Sequence, residues 1–134
     1  MSQGKQSDRR LAELNKKSLN RANLTRQKLG GANLVRANLR AANLTNANLV
    51  SANLCEANLI EANFSGANLV DAKLSRAKLN GADFTKADVT GTDFRNADIS
   101  RIKGLTLQQI RAAKIDETTK IPRAFKENMP NTGS

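Results

Sequence analysis

Residues 32–60 read ANLVRANLRAANLTNANLVSANLCEANLI, six passages of Ala-Asn-Leu at a five-residue interval. Outward from this stretch the leucine column begins at Leu14, Leu19, Leu24 and Leu29. It runs on through Leu59, Phe64, Leu69, Leu74, Leu79, Phe84, Val89 and Phe94 to Ile99, eighteen successive apolar positions. Two residues before each stands Ala, except at Lys17, Gln27 and Thr92. The residue between is Asn from Asn33 to Asn68 and Asp at Asp83, Asp88, Asp93 and Asp98.

A period of five fits neither regular element. On a helix, five residues advance about 500°, so an apolar stripe would drift by roughly 140° per repeat. In a flat strand an odd period throws successive leucines onto opposite faces. All of them are buried only if a short extended step, with Ala and Leu pointing inward, is followed by a corner. The chain then winds around its own axis and successive turns stack through backbone hydrogen bonds.

The A-N-L-x-x and A-D-F-x-x units, as in Ala32-Asn33-Leu34 and Ala82-Asp83-Phe84, resemble the pentapeptide-repeat family over residues 12–101. The resemblance implies an all-β solenoid, a right-handed quadrilateral β-helix with four pentapeptides per coil and about four and a half coils. Phe64 and Phe84, twenty residues apart, are then expected to stack on one wall. At a strand spacing of about 4.8 Å the tower is roughly 20 Å tall. Proteins of the family it resembles are especially numerous in cyanobacteria, and some resemble regulators of cell differentiation. Others protect topoisomerases by imitating DNA, a role that needs an acidic tower. A sequence pI of 10.4 argues against gyrase-type mimicry here.

The expected organisation is an amino-terminal arm or cap over 1–11, the β-helix over 12–101, a carboxyl-terminal helical cap over 102–122 and a mobile tail over 123–134. Thr106-Leu107-Gln108-Gln109 has the spacing of a capping box and predicts a short helix to about Lys114, with Leu107 and Ile110 on one face. At the other end, either Ser7 caps a short helix through Leu11 and Leu14, or Ala12-Glu13-Leu14 is already the first repeat. Helical caps are expected at one or both ends.

The 134 residues suit one domain. Only 3% are aromatic, with no Trp, Tyr or His, so the interior is expected to repeat one small and one large side chain. A single cysteine and no histidine exclude an internal disulfide and the usual zinc patterns, and no metal or cofactor is expected. No apolar run of about eighteen residues exists and the first fifteen residues are polar, so neither a membrane span nor a secretory signal is expected. The expected location is the cytoplasm.

The net charge of +10 is uneven. Residues 1–30 hold eight basic and two acidic side chains, residues 31–101 eight and seven, and residues 102–134 six and three. The excess sits at the ends, which weakens the case for a long groove following a phosphate backbone.

Four surface features compete for a function. Asp83, Asp88, Asp93 and Asp98 fall one per wall and point apart, with Lys73 and Lys78 one coil from two of them. Without a histidine base or a glycine-rich phosphate loop they make no catalytic pair, and the chain is read as a non-enzyme. Arg36, Glu56 and Arg76 alternate in sign up one face and read as a stabilising ladder. Cys55 stands one coil above Val35 with nothing certain to activate it.

Val35, Val50, Ile60 and Val70 follow the central leucine where Ser or Thr also occurs, and Val50 and Val70 stack beside Gly31, Ser51 and Gly91. Such a smooth apolar stripe suits a rigid scaffold that binds a protein partner or a second copy of the chain. The alternative partner is nucleic acid or another acidic molecule. It would be held through Lys5, Arg9, Arg10, Lys16, Lys17, Arg21, Arg26 and Lys28 in a sequence-independent, salt-sensitive way.

Overall fold

The structure, a computed structural model, describes residues 18–128. Each repeat places its Ala and Leu inward and its Asn or Asp outward. A four-residue turn follows, closed by a hydrogen bond such as Ala37 N–H to the Leu34 carbonyl, 3.0 Å. Four repeats complete one coil, and parallel bridges join residues twenty apart: Asn33 to Asn53, Asn53 to Lys73, Lys73 to Asp93. The coil is the right-handed quadrilateral β-helix.

Four walls follow in chain order. Wall 1 carries Leu19, Leu39, Leu59, Leu79 and Ile99; wall 2 carries Leu24, Leu44, Phe64 and Phe84. Wall 3 carries Leu29, Leu49, Leu69 and Val89; wall 4 carries Leu34, Leu54, Leu74 and Phe94. The bridges are too short to form extended ladders, because each straight segment is only about three residues long before the next corner.

From Leu24 to Ile99 the inward side chains are buried almost without exception, most at 0–2% exposure. The rings of Phe64 and Phe84 stack with centroids 4.8 Å apart, and Phe94 meets Phe84 edge-on at 6.0 Å. Thr92, which interrupts the Ala column, is fully buried and donates its hydroxyl to the Leu69 carbonyl at 2.6 Å. A buried hydroxyl is tolerated when it finds such an acceptor. Gln27, the other polar intruder in the described residues, is only half-buried in the first coil.

The corners store strain. The third turn residue has positive φ throughout, as type II turns require. Twelve of these residues are not glycine, among them Arg36, Ala41, Ser51 and Glu61. Each left-handed non-glycine costs on the order of 1 kcal/mol. The stack outweighs that cost, because each repeat makes several backbone bonds to the next coil: Asn53 N–H to Ala32 O, Leu54 N–H to Lys73 O and Glu56 N–H to Ser75 O, all 2.8–2.9 Å.

The pairing does not stop at residue 101. Lys103 bridges Asp83 on wall 2, Lys114 bridges Asp93 on wall 4, and Lys120 bridges Asp98 on wall 1. On wall 3 a helix, α1 (Leu107–Ala112), takes the place of the pentapeptide. The capping box is present: Gln109 N–H donates to Thr106 Oγ1, and Thr106 N–H donates to Gln109 Oε1 at 2.7 Å. The helix stops at Ala112, before Lys114, because the chain must be extended to pair with wall 4. Leu105 and Ile110 are the buried residues that close the shaft here, while Leu107 is half-buried. A 3-10 helix, Arg123–Asn128, follows.

Candidate interaction surfaces

The Asn column has a local purpose. In each repeat the Asn or Asp Oδ1 accepts the backbone N–H two residues on, which begins the corner: Asn53 from Cys55 at 3.1 Å, Asn68 from Val70 at 3.0 Å, Asp83 from Thr85 at 2.9 Å. This is an Asx turn, and it supplies a partner to an N–H that faces away from the coil above. The column is therefore committed to the backbone.

The acidic residues are engaged in the same way. Asp83 and Asp88 accept from the hydroxyls and amides of Thr85 and Thr90, and these bonds hold both carboxyls below their ordinary range. Asp93 is lowered chiefly by hydrogen bonding to Arg95, with an Arg95 Nη2 to Asp93 Oδ2 distance of 2.8 Å. Burial pushes Asp98 up, but bonds from Ser100 and the nearby Lys120 and Arg101 outweigh it. Asp93 and Asp98 are thus held by groups on the same or the following coil rather than in ion pairs with Lys73 and Lys78, one coil before them. Of the Arg36, Glu56 and Arg76 ladder, the lower rung forms, with Arg36 Nη2 3.6 Å from Glu56 Oε2.

Between α1 and the last regular coil of wall 3 lies an open groove of about 520 Å³, lined by Thr85, Lys86, Val89, Thr90, Gly104 and Gln108. Gln109 spans its inner side, donating Nε2 to the carbonyls of Phe84 (3.1 Å) and Ala87 (2.9 Å). Its carboxylate, Asp88, is occupied by Thr90. Among the described residues no cluster of His, Cys, Asp or Glu is arranged to hold a metal, and no helix is long and apolar enough to cross a membrane.

Val35, Val50, Ile60 and Val70 are all half-buried, but they do not form one patch. Val50 and Val70 stack on the edge between walls 3 and 4, where Ser51 N–H donates to the Val70 carbonyl at 2.9 Å. Val35, with Cys55 above it, lies across wall 4 on the edge between walls 4 and 1. Ile60 lies on the edge between walls 1 and 2, diagonally opposite Val50 and Val70.

The basic residues at the amino end also separate. Arg21 is on the edge between walls 1 and 2, Arg26 on the edge between walls 2 and 3, and Lys28 on wall 3. Lys5, Arg9, Arg10, Lys16 and Lys17 lie outside the described residues, as do the arm over 1–11 and the end of the tail.

The four edges differ in charge. The edge between walls 3 and 4 consists of Gly30, Gly31, Val50, Ser51, Val70, Asp71, Thr90 and Gly91. Among the described residues no cation stands at these corners, and Lys28, Lys73 and Lys114 stand on the adjoining walls. Each of the other three edges carries at least two. A twenty-residue frame pairs Val50 with Val70 from the sequence; that their edge lacks corner cations while the other three carry them follows from the same register applied to the charges.

Comparison with known proteins places the architecture. The family described as pentapeptide repeats (8 copies) matches residues 18–54, 37–76, 47–85 and 62–101. The chain belongs to the pentapeptide-repeat family. Among solved structures, the pentapeptide repeat protein Rfr23 from the cyanobacterium Cyanothece 51142 is 29% identical with a TM-score of 0.63, over 70% of this chain and 63% of that one. The chain thus spans less than two thirds of that relative's length. The pentapeptide repeat protein alr5209 from Nostoc Pcc 7120 is 27% identical with a TM-score of 0.44, over 93% of this chain and 91% of that one. QnrB1, a plasmid-mediated fluoroquinolone resistance protein, is 14% identical with a TM-score of 0.34, over 76% and 61%. No curated protein matches the chain.

Proposed function

We propose that this protein is a non-enzymatic binding module, a rigid post that meets a protein partner along the edge between walls 3 and 4. The observation that carries this reading is the cation-free edge. In a chain of net charge +10, an edge whose only charged corner among the described residues is Asp71, and which stacks Val50 on Val70 between glycines and a serine, is depleted of what keeps surfaces solvated. Interface cores are depleted of charge in the same way. The small neighbours allow close approach, and the stacked backbone holds the valines in place, so little ordering entropy is lost on contact.

Under this reading residues 12–101 are the binding shaft and 102–122 the cap that closes it. A half-buried free thiol at Cys55 suits a reducing compartment such as the cytoplasm. Topoisomerase-directed DNA mimicry is disfavoured, since three of the four edges carry arginine or lysine. A supercoiling assay in which the protein inhibits gyrase or protects it from a quinolone would reverse that judgement.

The test of the main reading is capture of partners from native extract by the unmodified chain and by the Val50→Lys, Val70→Lys double variant. We expect a discrete partner that the double variant loses while its circular dichroism spectrum stays unchanged. Capture that survives the double change removes the edge from consideration. Self-association is read by sedimentation of the same two proteins.

A further inference from the structure

The edge diagonally opposite, between walls 1 and 2, has the reverse character. Its corner residues include Arg21, Arg40 and Arg101, and the adjoining walls add Lys78, Lys120 and Lys103. Against these six cations stand Glu61, Asp98 and Asp83. Lys120 and Arg101 lie near Asp98 and Lys103 near Asp83, while the one ion pair on the edge itself is loose: Arg40 Nη2 is 3.9 Å from Glu61 Oε1, with both side chains more than half exposed. Pairs of that kind are weak and exchange readily for a better partner. At the middle of this edge Ile60 is half-buried, with Asn58 on one side and Gly81 one coil on.

Two acidic occupants differ in what they require. A nucleic-acid strand carries evenly spaced phosphates and gains most from exposed rings on which bases stack. Glu61 interrupts the cation column at its centre, Phe64, Phe84 and Phe94 are fully buried, and Phe125 is partly buried against the core. An acidic protein surface needs an apolar centre ringed by charge, with Arg favoured over Lys in the ring. That is the arrangement here, where three of the six cations are the arginines on the edge itself.

We propose that the edge between walls 1 and 2 docks an acidic protein surface, with Ile60 taking an aliphatic side chain and Arg40, Lys78 and Arg101 taking carboxylates around it. This rests on the reading of the chain as a binding module but uses a different face, so that the post joins two partners across its diagonal.

The probe is a fluorescein-labelled peptide of alternating Glu and Leu, about ten residues long and so roughly 33 Å when extended, enough to run the height of the edge. An oligothymidylate of equal charge serves as competitor, with anisotropy read at low salt on the full chain. Arg40→Glu with Arg101→Glu is expected to weaken peptide binding about tenfold or more, and Ile60→Ser about threefold with no change of charge. Arg26→Glu with Lys86→Glu, an equal charge reversal on the edge between walls 2 and 3, is expected to change it by less than about twofold. The Val50→Lys, Val70→Lys variant should bind the peptide as the unmodified chain does, so this face and the opposite one fail or succeed separately. The proposal is overturned by absence of peptide binding, by equal losses from the two charge reversals, or by oligothymidylate binding as tightly as the peptide.

Discussion

Asn53 makes three connections: its N–H donates to Ala32 and its carbonyl accepts from Leu34, both on the coil below, and its Oδ1 accepts from Cys55. Replacing it with Ala keeps the first two and leaves the Cys55 amide without its acceptor. A loss of about 1 kcal/mol is expected, with Asn53→Asp close to neutral, both read from thermal unfolding by circular dichroism. Leu54, at 0% exposure two residues from Cys55's corner partner Glu56, tolerates no such exchange. Leu54→Asp places an unpaired carboxylate in a dry interior, and loss of the cooperative transition is expected; a preserved midpoint would contradict the core described here.

The carboxylates give a pH prediction at the same scale. Asp83 and Asp88 are held below the ordinary carboxylate range in the folded chain, so their contribution is complete above the pKa of the unfolded chain. It is lost as pH falls through the lower folded value. The melting temperature should therefore stay level on acidification until the ordinary carboxylate range and drop beyond it. In the Asp83→Asn, Asp88→Asn variant, whose amides can accept the same turn bonds, that drop should be smaller.

At the level of elements, the replacement of a pentapeptide by α1 on wall 3 decides how the shaft closes. Gly104 makes the entry: its φ is +76°, and a Cβ there would meet Thr85 N at 2.7 Å and Thr85 Cα at 2.8 Å. Backbone cannot move aside as a side chain can, so Gly104→Ala should destabilise the cap by more than the roughly 1 kcal/mol expected from Thr106→Ala at its N-cap. Hydrogen exchange at Gly91, whose amide donates to Ala112, reports cap opening directly in both variants.

The cap also shows what could be read in advance. Thr106 and Gln109 announced the helix start because capping is local chemistry. Its end was not legible from the helical pattern: Lys114 leaves the helix to bridge Asp93, and that competition exists only once the coil below is in place. Asp93 choosing Arg95 over Lys73 has the same origin, since two residues on one corner are held closer than stacked side chains that diverge into solvent.

Over the whole molecule, five-residue phase sufficed for the fold because every buried position repeats the same demand; Phe64 over Phe84 followed from counting alone. The candidate surfaces were only half legible. Val50 and Val70 were paired correctly by a twenty-residue frame, but Val35 and Ile60 belong to other edges, and totals of charge along the chain average over all four sides. Stability should also be graded along the axis. Coils are held by their neighbours, and the Leu44 to Leu79 region has a coil on each side, whereas Leu19 and Ala22 are only half-buried. Amide protection is expected to be greatest for Leu44, Leu59 and Phe64 and least for Leu19 and Leu24; uniform protection would indicate all-or-none opening instead.

Because four corners make one circuit, sequence position doubles as an angular coordinate. Excising twenty residues, such as 42–61, would shorten the tower by one storey and leave every later side chain facing its former compass direction. Excising five, such as 42–46, would keep the same Ala and Leu filling the interior while rotating everything downstream by a quarter turn. Both shortened chains should give the native type of circular dichroism spectrum. In the second, Val50 and Val70 arrive under a different heading from the unshifted Gly30 and Gly31, so partner capture by that variant should fail although its interior is intact.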